Sequence, residues 1–364
     1  MGEKLRIGII GCGGIANGKH MPALAKIDRV EMVAFCDEKV IRAEKAAAEY
    51  GTCGSKVYSD YNELLKDESI DVVHVLTPNN MHCPVTVAAL KAGKHVMCEK
   101  PMAKTYAEAK LMYETALETG KKLTIGYQNR YRNDSLYLKK LCEQDELGEI
   151  YYARALAVRR RGVPTWGVFI DEEKQGGGPL IDIGTHALDL TLWMMDNYEP
   201  QMAVGSVYRK LADTENAANS SGPWDPKKFT TEDSAFGFIR MKNGATIWLE
   251  SSWALNTLLI DEAKTILCGT KGGADMIGGK ETLRINGEKN SRMFVTTPEL
   301  NQGGVDFFPG KREGAEDREA RMWIDHILDD SKPLLVKPAQ ALVVTQILEA
   351  IYASAKSGQP VYFD

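Results

Sequence analysis

The sequence predicts a two-domain protein, in which an α/β domain with a doubly wound parallel sheet is followed by an α+β domain with a large, mainly antiparallel open sheet. Three observations lead to this prediction. The chain has 364 residues, and domains of roughly 150 residues give an expectation of two. Strand and helix patterns alternate up to about residue 127, as a parallel sheet with crossover helices requires. After Gly148 the predicted strands are largely joined without helices.

The first part of the chain alternates five strands with four helices. The strands are short apolar runs rich in β-branched residues, and two of the helices end at a glycine. The predicted strands span residues 5–10, 30–36, 70–76, 94–98 and 122–127, and the predicted helices span residues 15–25, 40–50, 85–92 and 106–118. We place the domain boundary after residue 128, which gives domains at 1–128 and 129–364.

The second part has few helices. Its predicted strands span residues 151–158, 203–208, 234–241, 245–253 and 263–267, and its predicted helices span residues 180–195, 317–328 and 339–355. Lys242-Asn243-Gly244 is typical of a hairpin turn. Residues 211–230 contain Gly, Pro, Asn and Ser without periodicity and are interpreted as a long surface loop. We expect the last two helices to pack across the second sheet or against the first domain.

Composition excludes several classes of protein. The chain is 44% hydrophobic and 26% charged, with 45 basic and 50 acidic residues and a formal charge of −5. This balance is typical of an ordinary globular protein, and a mildly acidic chain binds nucleic acid or an anionic membrane poorly. No apolar run approaches the roughly 18 residues of a membrane span. We therefore expect neither a nucleic-acid partner nor a membrane partner.

The seven cysteines indicate a reducing compartment. They are odd in number and contain no C-x-x-C pair, which argues against a disulfide framework and against a zinc site. We expect no bound metal and a cytoplasmic location.

A glycine-rich turn between the first strand and the first helix predicts a dinucleotide site. The turn has the pattern G-x-G-x-x-A and comprises Gly11, Gly13, Gly14, Ile15 and Ala16. Such a turn lets backbone N–H groups and a helix N-terminus approach a pyrophosphate. Asp37 ends the second strand, where a carboxylate binds the adenosine ribose and repels a 2′-phosphate, so NAD is favoured over NADP. The alternative is a structural glycine turn with a solvated aspartate.

Two tripeptides follow further strands of the predicted parallel sheet. They are Thr77-Pro78-Asn79 and Glu99-Lys100-Pro101. Ligands of open parallel sheets bind at the carboxyl edge, so we expect both tripeptides to border the nicotinamide half of the crevice. Lys100 could hold a substrate oxygen and stabilise developing negative charge on it. The alternative is a surface lysine paired with Glu99.

A glycine run in the second domain precedes a candidate acid/base pair. Pro179 suits the first turn of a helix, and Asp182 and His186 stand at i and i+4, which predicts one shared face that Asp189 continues. A neutral histidine near pH 7 can accept the proton of an alcohol. The alternative is a core histidine among aliphatic neighbours.

Four ordered motifs together resemble one known family, the glucose–fructose oxidoreductase / inositol dehydrogenase / rhizopine catabolism (Gfo/Idh/MocA) family. These motifs are residues 11–16, 77–82, 92–96 and 99–101, and the resemblance covers essentially the whole chain. It implies a Rossmann domain, an NAD(P)-dependent enzyme acting on sugars or polyols, and a homo-oligomer (dimer, tetramer or hexamer) formed through the open sheet. It also implies that His186 is the acid/base and that Lys100 and Asp182 bind the reacting alcohol.

The resemblance extends to the residues that hold the cofactor. In addition to the glycine turn and Asp37, it implies contributions from Thr77, Pro78, Asn79, His82, Glu99, Lys100 and Gln128. We expect His82 to order its strand-end loop. The segment after the last strand, including Gln128 and Arg130, lines the boundary between cofactor and substrate in the family.

The substrate is the least constrained part of the prediction. Arg160 and Trp166 are candidate sugar contacts, because indole rings stack on sugar faces and guanidinium groups bind hydroxyls; the alternative is a solvated arginine run. Motifs around both residues and around Trp224 look closest to gut-bacterial members that oxidise the 3-hydroxyl of glucosides, including C-glucosides of the puerarin type. That product would be a 3-keto sugar, suited to elimination by a partner lyase. Two alternatives remain open: an inositol, polyol or other sugar dehydrogenase, and a non-catalytic NAD-binding sensor.

Overall fold

A computed structural model of the chain describes residues 4–279, 282–300 and 313–363. The described residues form two compact units. The first contains the residues up to Gln128 together with Glu313–Leu342, and the second contains those from Asn129 to Leu300 and from Val343 onward. Over the described ranges, no helix combines the length and the apolar character that crossing a bilayer requires. None of the seven cysteines, all of which lie in these ranges, forms a disulfide.

The first unit is built on a parallel sheet. Its elements up to Gln128 are β1 (Leu5–Ile10), a π-helical turn (Ala16–His20), α1 (Met21–Leu24), β2 (Val30–Cys36), α2 (Val40–Tyr50), β3 (Lys56–Tyr58), α3 (Tyr61–Leu65), β4 (Val72–Val75), a 3₁₀ turn (Asn79–Met81), α4 (His82–Lys91), β5 (His95–Cys98), α5 (Tyr106–Thr119) and β6 (Leu123–Ile125). The strand order is β3-β2-β1-β4-β5-β6, with every pair parallel. The predicted doubly wound Rossmann sheet is confirmed.

Most strands of this sheet have apolar side chains buried on both faces, which explains why they read as near-continuous hydrophobic runs. Ile7, Ile9 and Phe35 are fully buried. The prediction of five strands missed β3, because its three residues are exposed or half-buried and carry no strand pattern. Trp323, far along the chain, joins the same hydrophobic cluster.

The second unit is built on a mixed sheet. The remaining elements of the chain are a 3₁₀ turn (Gln128–Tyr131), α6 (Asn133–Glu143), β7 (Ile150–Val158), α7 (Glu172–Gln175), a π-helical turn (Leu180–Gly184), α8 (Thr185–Met195), β8 (Pro200–Tyr208), β9 (Ser234–Met241), β10 (Thr246–Ser252), β11 (Asp261–Gly269), β12 (Gly272–Asp275), β13 (Arg284–Lys289), β14 (Arg292–Thr296), α9 (Ala315–Leu328), α10 (Pro338–Ser357) and β15 (Val361–Tyr362). Of these, α9 belongs to the first unit. The strand order is β14-β13-β12-β11-β7-β10-β9-β8-β15. β7 and β10 pair in parallel, and the other pairs among the described strands are antiparallel. The predicted α+β domain with a mainly antiparallel sheet is confirmed.

Two details of this unit differ from prediction. Strands β12 to β14 were missed, because β12 is short and glycine-rich and because β13 and β14 are largely exposed. Residues 211–230 contain no helix or strand, as expected, but the segment is not entirely a surface loop. Trp224 and Phe229 are buried, with ring centroids 5.9 Å apart. They anchor the segment to the body of the unit.

Candidate functional site

The glycine turn after β1 has the backbone that a bound pyrophosphate needs. Gly11 has φ +94°, and a Cβ there would lie 2.5 Å from the carbonyl oxygen of Leu76, so only glycine fits. A Cβ on Gly13 or Gly14 would meet no atom within 4 Å, which leaves open space beside the turn. Ile15 is exposed and Ala16 is buried. The turn therefore fits the phosphates of a dinucleotide.

Asp37 lies at the end of β2, as predicted, and its carboxylate is fixed by the backbone. Oδ2 accepts the N–H of Cys12 and Oδ1 accepts the N–H of Lys39, each at 2.9 Å. A carboxylate retains acceptor capacity beyond these two bonds, so Asp37 can also bind ribose hydroxyls. The glycine turn and this anchored carboxylate together fit an NAD cofactor.

His82 connects the two strand-end tripeptides. Its Nδ1 lies 2.7 Å from the carbonyl oxygen of Pro101, and its Nε2 lies 3.0 Å from that of Thr77. The ring is buried, and burial lowers the pKa of His82 below its usual value. Asn79 is also buried, whereas Pro78 is exposed. The geometry supports an ordering role for His82 at the carboxyl edge of the sheet.

Glu99 is the centre of a buried polar cluster. Its Oε1 accepts hydrogen bonds at 2.7 Å from Lys19 Nζ and contacts His20 Nε2 at 2.8 Å, while Oε2 accepts the main-chain N–H of Lys100 at 3.0 Å. Burial alone would raise the pKa of Glu99, but Lys19 and His20 hold it well below its usual range. Gln128 is also engaged, since its Oε1 accepts from Lys19 at 2.7 Å.

Asp182 and His186 occupy two different kinds of helix. Asp182 lies in the π-helical turn and His186 in the first turn of α8, so the helix predicted over 180–195 begins with a π-helical turn, and the shared face of the two residues stays a prediction. Bonds in a π-turn run from i to i+5, and such turns are frequent at functional sites. Both residues are largely buried, at 8% and 7% exposure. A glycine at 184, where a Cβ would come within 3.0 Å of Ser251 Oγ, lets this turn pack on β10.

Trp253, which no sequence motif singles out, orients Asp182. The indole Nε1 of Trp253 donates a 3.1 Å hydrogen bond to Asp182 Oδ2, and Trp253 is fully buried. Its ring packs 6.3 Å from that of Phe229, centroid to centroid. Trp253 directly follows β10 and is 71 residues from Asp182 along the chain. Its hydrogen bond fixes one carboxylate oxygen of the candidate site.

The glycine run before the π-turn is held by two further residues that sequence reasoning missed. Glu232 accepts the N–H groups of Gly178 at 2.7 Å and Leu180 at 3.1 Å, and the hydroxyl of Tyr352 donates to it at 2.8 Å. A Cβ on Gly177 would lie 2.1 Å from the Tyr352 hydroxyl oxygen. Burial raises the pKa of Glu232 above its usual value. The glycines are therefore required by close packing.

Asp189 does not extend the candidate acid/base face. Its oxygens accept from Arg130 Nε at 2.9 Å and from Nη2 at 2.5 Å, and both residues are almost completely buried. The Arg130 guanidinium also lies 5.4 Å from the centroid of the Trp193 ring. Arg130 and Asp189 thus form an internal ion pair of the second unit, and the role of Arg130 at a ligand boundary stays a prediction.

Arg160 and Trp166 lie on an exposed segment beside Trp253. The N–H of Gly162 donates to the carbonyl of Trp253 at 2.8 Å, and the N–H of Leu255 donates to that of Arg160 at 3.1 Å. Arg160 is exposed, and Trp166 is 58% exposed with its ring 6.0 Å from Phe169. The segment therefore adjoins the residue that contacts Asp182, and its two candidate sugar contacts face solvent.

The described part of the chain contains no group of three or more His, Cys, Asp or Glu residues that could hold a metal ion. The Rossmann sheet, the open glycine turn and the anchored Asp37 define a dinucleotide-dependent oxidoreductase as the class of protein.

Comparison with known proteins gives the family. Residues 5–127 match the Gfo/Idh/MocA "Oxidoreductase family, NAD-binding Rossmann fold", and residues 139–363 match its "C-terminal alpha/beta domain". The chain belongs to the Gfo/Idh/MocA family and is an NAD-dependent oxidoreductase.

Three relatives illustrate this membership. D-glucoside 3-dehydrogenase of Escherichia coli K12 is 36% identical over 98% of this chain and 97% of its own. Inositol 2-dehydrogenase of Salmonella typhimurium is 37% identical over 40% of this chain and 43% of its own. The structure of levoglucosan dehydrogenase in complex with NADH and levoglucosan superposes with a TM-score of 0.82 at 22% identity over 99% of each chain, which shows the shared fold.

Proposed function

We propose that this enzyme oxidises the 3-hydroxyl of a D-glucoside to a ketone. The observation that carries the proposal is the similarity to a D-glucoside 3-dehydrogenase over essentially the whole of both chains. The inositol dehydrogenase match spans less than half of each chain, so it gives weaker support for a polyol substrate. Substrate contacts depend on the second domain and its loops, and relatives that share a fold exchange substrates through such loops.

His186 is the proposed acid/base. Oxidation of a secondary alcohol removes the hydroxyl proton while a hydride leaves the same carbon, and bound NAD supplies the acceptor for that hydride. A neutral imidazole accepts the proton near pH 7. The deep burial of His186 excludes most bulk water, which strengthens local electrostatic interactions.

Asp182 and Lys100 are proposed to bind the reacting alcohol. One oxygen of Asp182 is fixed by the Trp253 indole, so the carboxylate has a defined orientation. The Lys100 ammonium supplies a positive charge that stabilises negative charge developing on the substrate oxygen. Arg160 and Trp166, exposed on one segment, are proposed to contact the rest of the glucoside.

A substrate panel tests this proposal against its alternatives. Purified enzyme with NAD is offered methyl β-D-glucoside, an aryl C-glucoside, free glucose and myo-inositol, and NADH is followed by its absorbance. We expect the glucosides to be oxidised with higher kcat/KM than inositol and proton NMR to show a ketone at C3. A preference for inositol would support the polyol dehydrogenase, and no turnover with any compound would support the sensor.

The 3-keto product has a further chemical consequence. A ketone at C3 acidifies the neighbouring C–H bond, which prepares loss of the aglycone from C1. We propose that a lyase of the elimination type consumes the product.

The enzyme is also proposed to assemble through its open sheet. One face of the second sheet carries Tyr152, Phe236, Phe238 and Trp248, none of which is fully buried, and the Phe238 and Trp248 rings pack 5.2 Å apart. An exposed aromatic sheet face favours association. Sedimentation analysis should show a homo-oligomer that Trp248→Glu weakens, and a monomeric native protein would contradict this.

A further inference from the structure

A buried cluster of charges in the first unit has no part in the mechanism given above. Lys19, at 6% exposure, lies in the π-helical turn after the glycine motif. Its Nζ is 2.7 Å from Glu99 Oε1 and 2.8 Å from Glu319 Oε2 on α9. Its third acceptor is Gln128 Oε1 at 2.7 Å. One ammonium group thus holds three acceptors from three separate segments.

Stability alone is a poor explanation for this cluster. Removing charges from water is costly, and well-packed apolar residues often replace a buried ion pair without loss of stability. The cluster nevertheless requires a glycine at position 126, because a Cβ there would lie 2.9 Å from Glu99 Oε1. The two carboxylates face a single ammonium, and His20 on the other side of Glu99 has its pKa lowered by burial and by Lys19. The burial of these charges therefore calls for an explanation other than stability.

The cluster includes a hydrogen bond to the main chain of Lys100. While Lys19 and His20 hold Oε1 of Glu99, Oε2 accepts the N–H of Lys100 at 3.0 Å. When Lys19 and His20 hold Oε1 of Glu99, the position of Oε2 is restricted as well. The backbone orientation at Lys100 therefore depends on the contact between Lys19 and Glu99. The direction of a side chain is set by its backbone.

We propose that Lys19 is a positioning residue: it anchors Glu99 and thereby orients Lys100 at the carboxyl edge of the parallel sheet. This inference rests on the proposed function, in which Lys100 binds the reacting alcohol. Glu319 of α9 supports Lys19 from its other side. Lys19 and Glu319, which are 300 positions apart along the chain, thus both contribute to the orientation of one side chain.

The test compares two buried lysines of the same unit. Lys19→Met removes the anchor. Lys94→Met is the matched control, because Lys94 is equally buried but its Nζ donates to the carbonyl of Asp67 at 2.8 Å. In the NAD-free enzyme, we expect amide hydrogen exchange at Lys100 to become about tenfold faster or more in Lys19→Met and to stay unchanged in Lys94→Met. If the Met variant does not fold, Lys19→Gln gives the same comparison.

Kinetics supply the second readout. In Lys19→Met we expect kcat on the preferred glucoside to fall about 10- to 100-fold while the Kd of NAD changes by less than about threefold. Lys19→Arg, which keeps a cation, should recover part of the exchange protection and of kcat. Unchanged Lys100 exchange in Lys19→Met would overturn the proposal. Full activity of Lys100→Ala would instead overturn the proposed function, and the exchange result would still decide the role of Lys19.

Discussion

The indole N–H of Trp253 donates to Asp182 Oδ2 at 3.1 Å. Both residues are buried, so the hydrogen bond is shielded from competing water. It fixes the orientation of the Asp182 carboxylate, four residues before His186 in the sequence. Replacing Trp253 removes this donor from a buried carboxylate oxygen, and the loss of a buried hydrogen bond costs free energy. The orientation of Asp182 in the candidate acid/base pair therefore depends on Trp253, which lies outside the π-helical turn and outside α8.

Trp253→Phe should lower kcat about 10- to 100-fold, because a small displacement of a positioning group has an effect of that size. NAD affinity should stay unchanged. Trp323→Phe is the control for the loss of ring volume, since Trp323 is equally buried but belongs to the first unit. Steady-state kinetics and NAD titration provide the measurement. Equal losses in the two variants would show that Trp253 acts through packing alone.

His186→Ala and Lys100→Ala should each reduce kcat by about 10²-fold or more, as removal of a general base or of a charge-stabilising group does. Fluorescence titration should give NAD affinities close to that of the wild type. His326→Ala and Lys110→Ala change the same residue types outside the candidate site and should remain active. A fully active His186→Ala enzyme would rule out this histidine as the acid/base.

Asp37→Ser should shift cofactor preference. Losing the carboxylate removes a ribose acceptor and the repulsion of a 2′-phosphate, so the ratio of kcat/KM for NADP to that for NAD should rise at least about tenfold. Asp28→Ser, at an exposed turn before β2, should leave the ratio unchanged. An unaltered ratio in Asp37→Ser would contradict the assignment of Asp37 to the adenosine ribose.

The glycine run should tolerate no side chain. Gly177→Ala places a Cβ 2.1 Å from the Tyr352 hydroxyl oxygen, and relief of such an overlap typically costs about 1–3 kcal/mol of the free energy of unfolding. Tyr352→Phe removes that oxygen and should recover part of the loss in the double variant. Gly18→Ala, whose Cβ meets no atom within 4 Å, should be neutral or stabilising. Urea unfolding of the wild type and of these four variants provides the measurement, and additive effects of Gly177→Ala and Tyr352→Phe would contradict a direct clash.

Glu319 should give stability an unusual pH dependence. Burial raises its pKa to about 7, against the opposing effect of Lys19. Because the folded pKa exceeds the unfolded value, the contribution is fully present below the unfolded pKa and is lost as pH rises through about 7. Glu319→Gln should therefore gain about 1–3 kcal/mol relative to the wild type between pH 5 and pH 8.

The control for this effect is Glu118→Gln, an exposed glutamate near the end of α5. Its difference in unfolding midpoint from the wild type should not vary with pH. A pH-independent difference for Glu319→Gln as well would show that its carboxyl titrates normally.

Local signals were sufficient to predict the strands and the glycine turn around the candidate nucleotide site. Gly11 and Asp37 follow strands directly, and their roles depend on backbone conformation and strand position, which short patterns reveal. Trp253 and Glu232 could not be found this way, because they reach the candidate site from 71 and 54 residues away. The π-turn at Asp182 was also hidden, since an α-helix and a π-turn share the same apolar pattern.

The most direct test of the proposed reaction follows the hydrogen at C3. Methyl β-D-glucoside carrying deuterium at C3 is incubated with enzyme and NAD, and the NADH is analysed by mass spectrometry. Oxidation at C3 predicts NADH that carries one deuterium, whereas the 2-deuterated and 4-deuterated glucosides give unlabelled NADH. Unlabelled NADH from the 3-deuterated substrate would contradict the account.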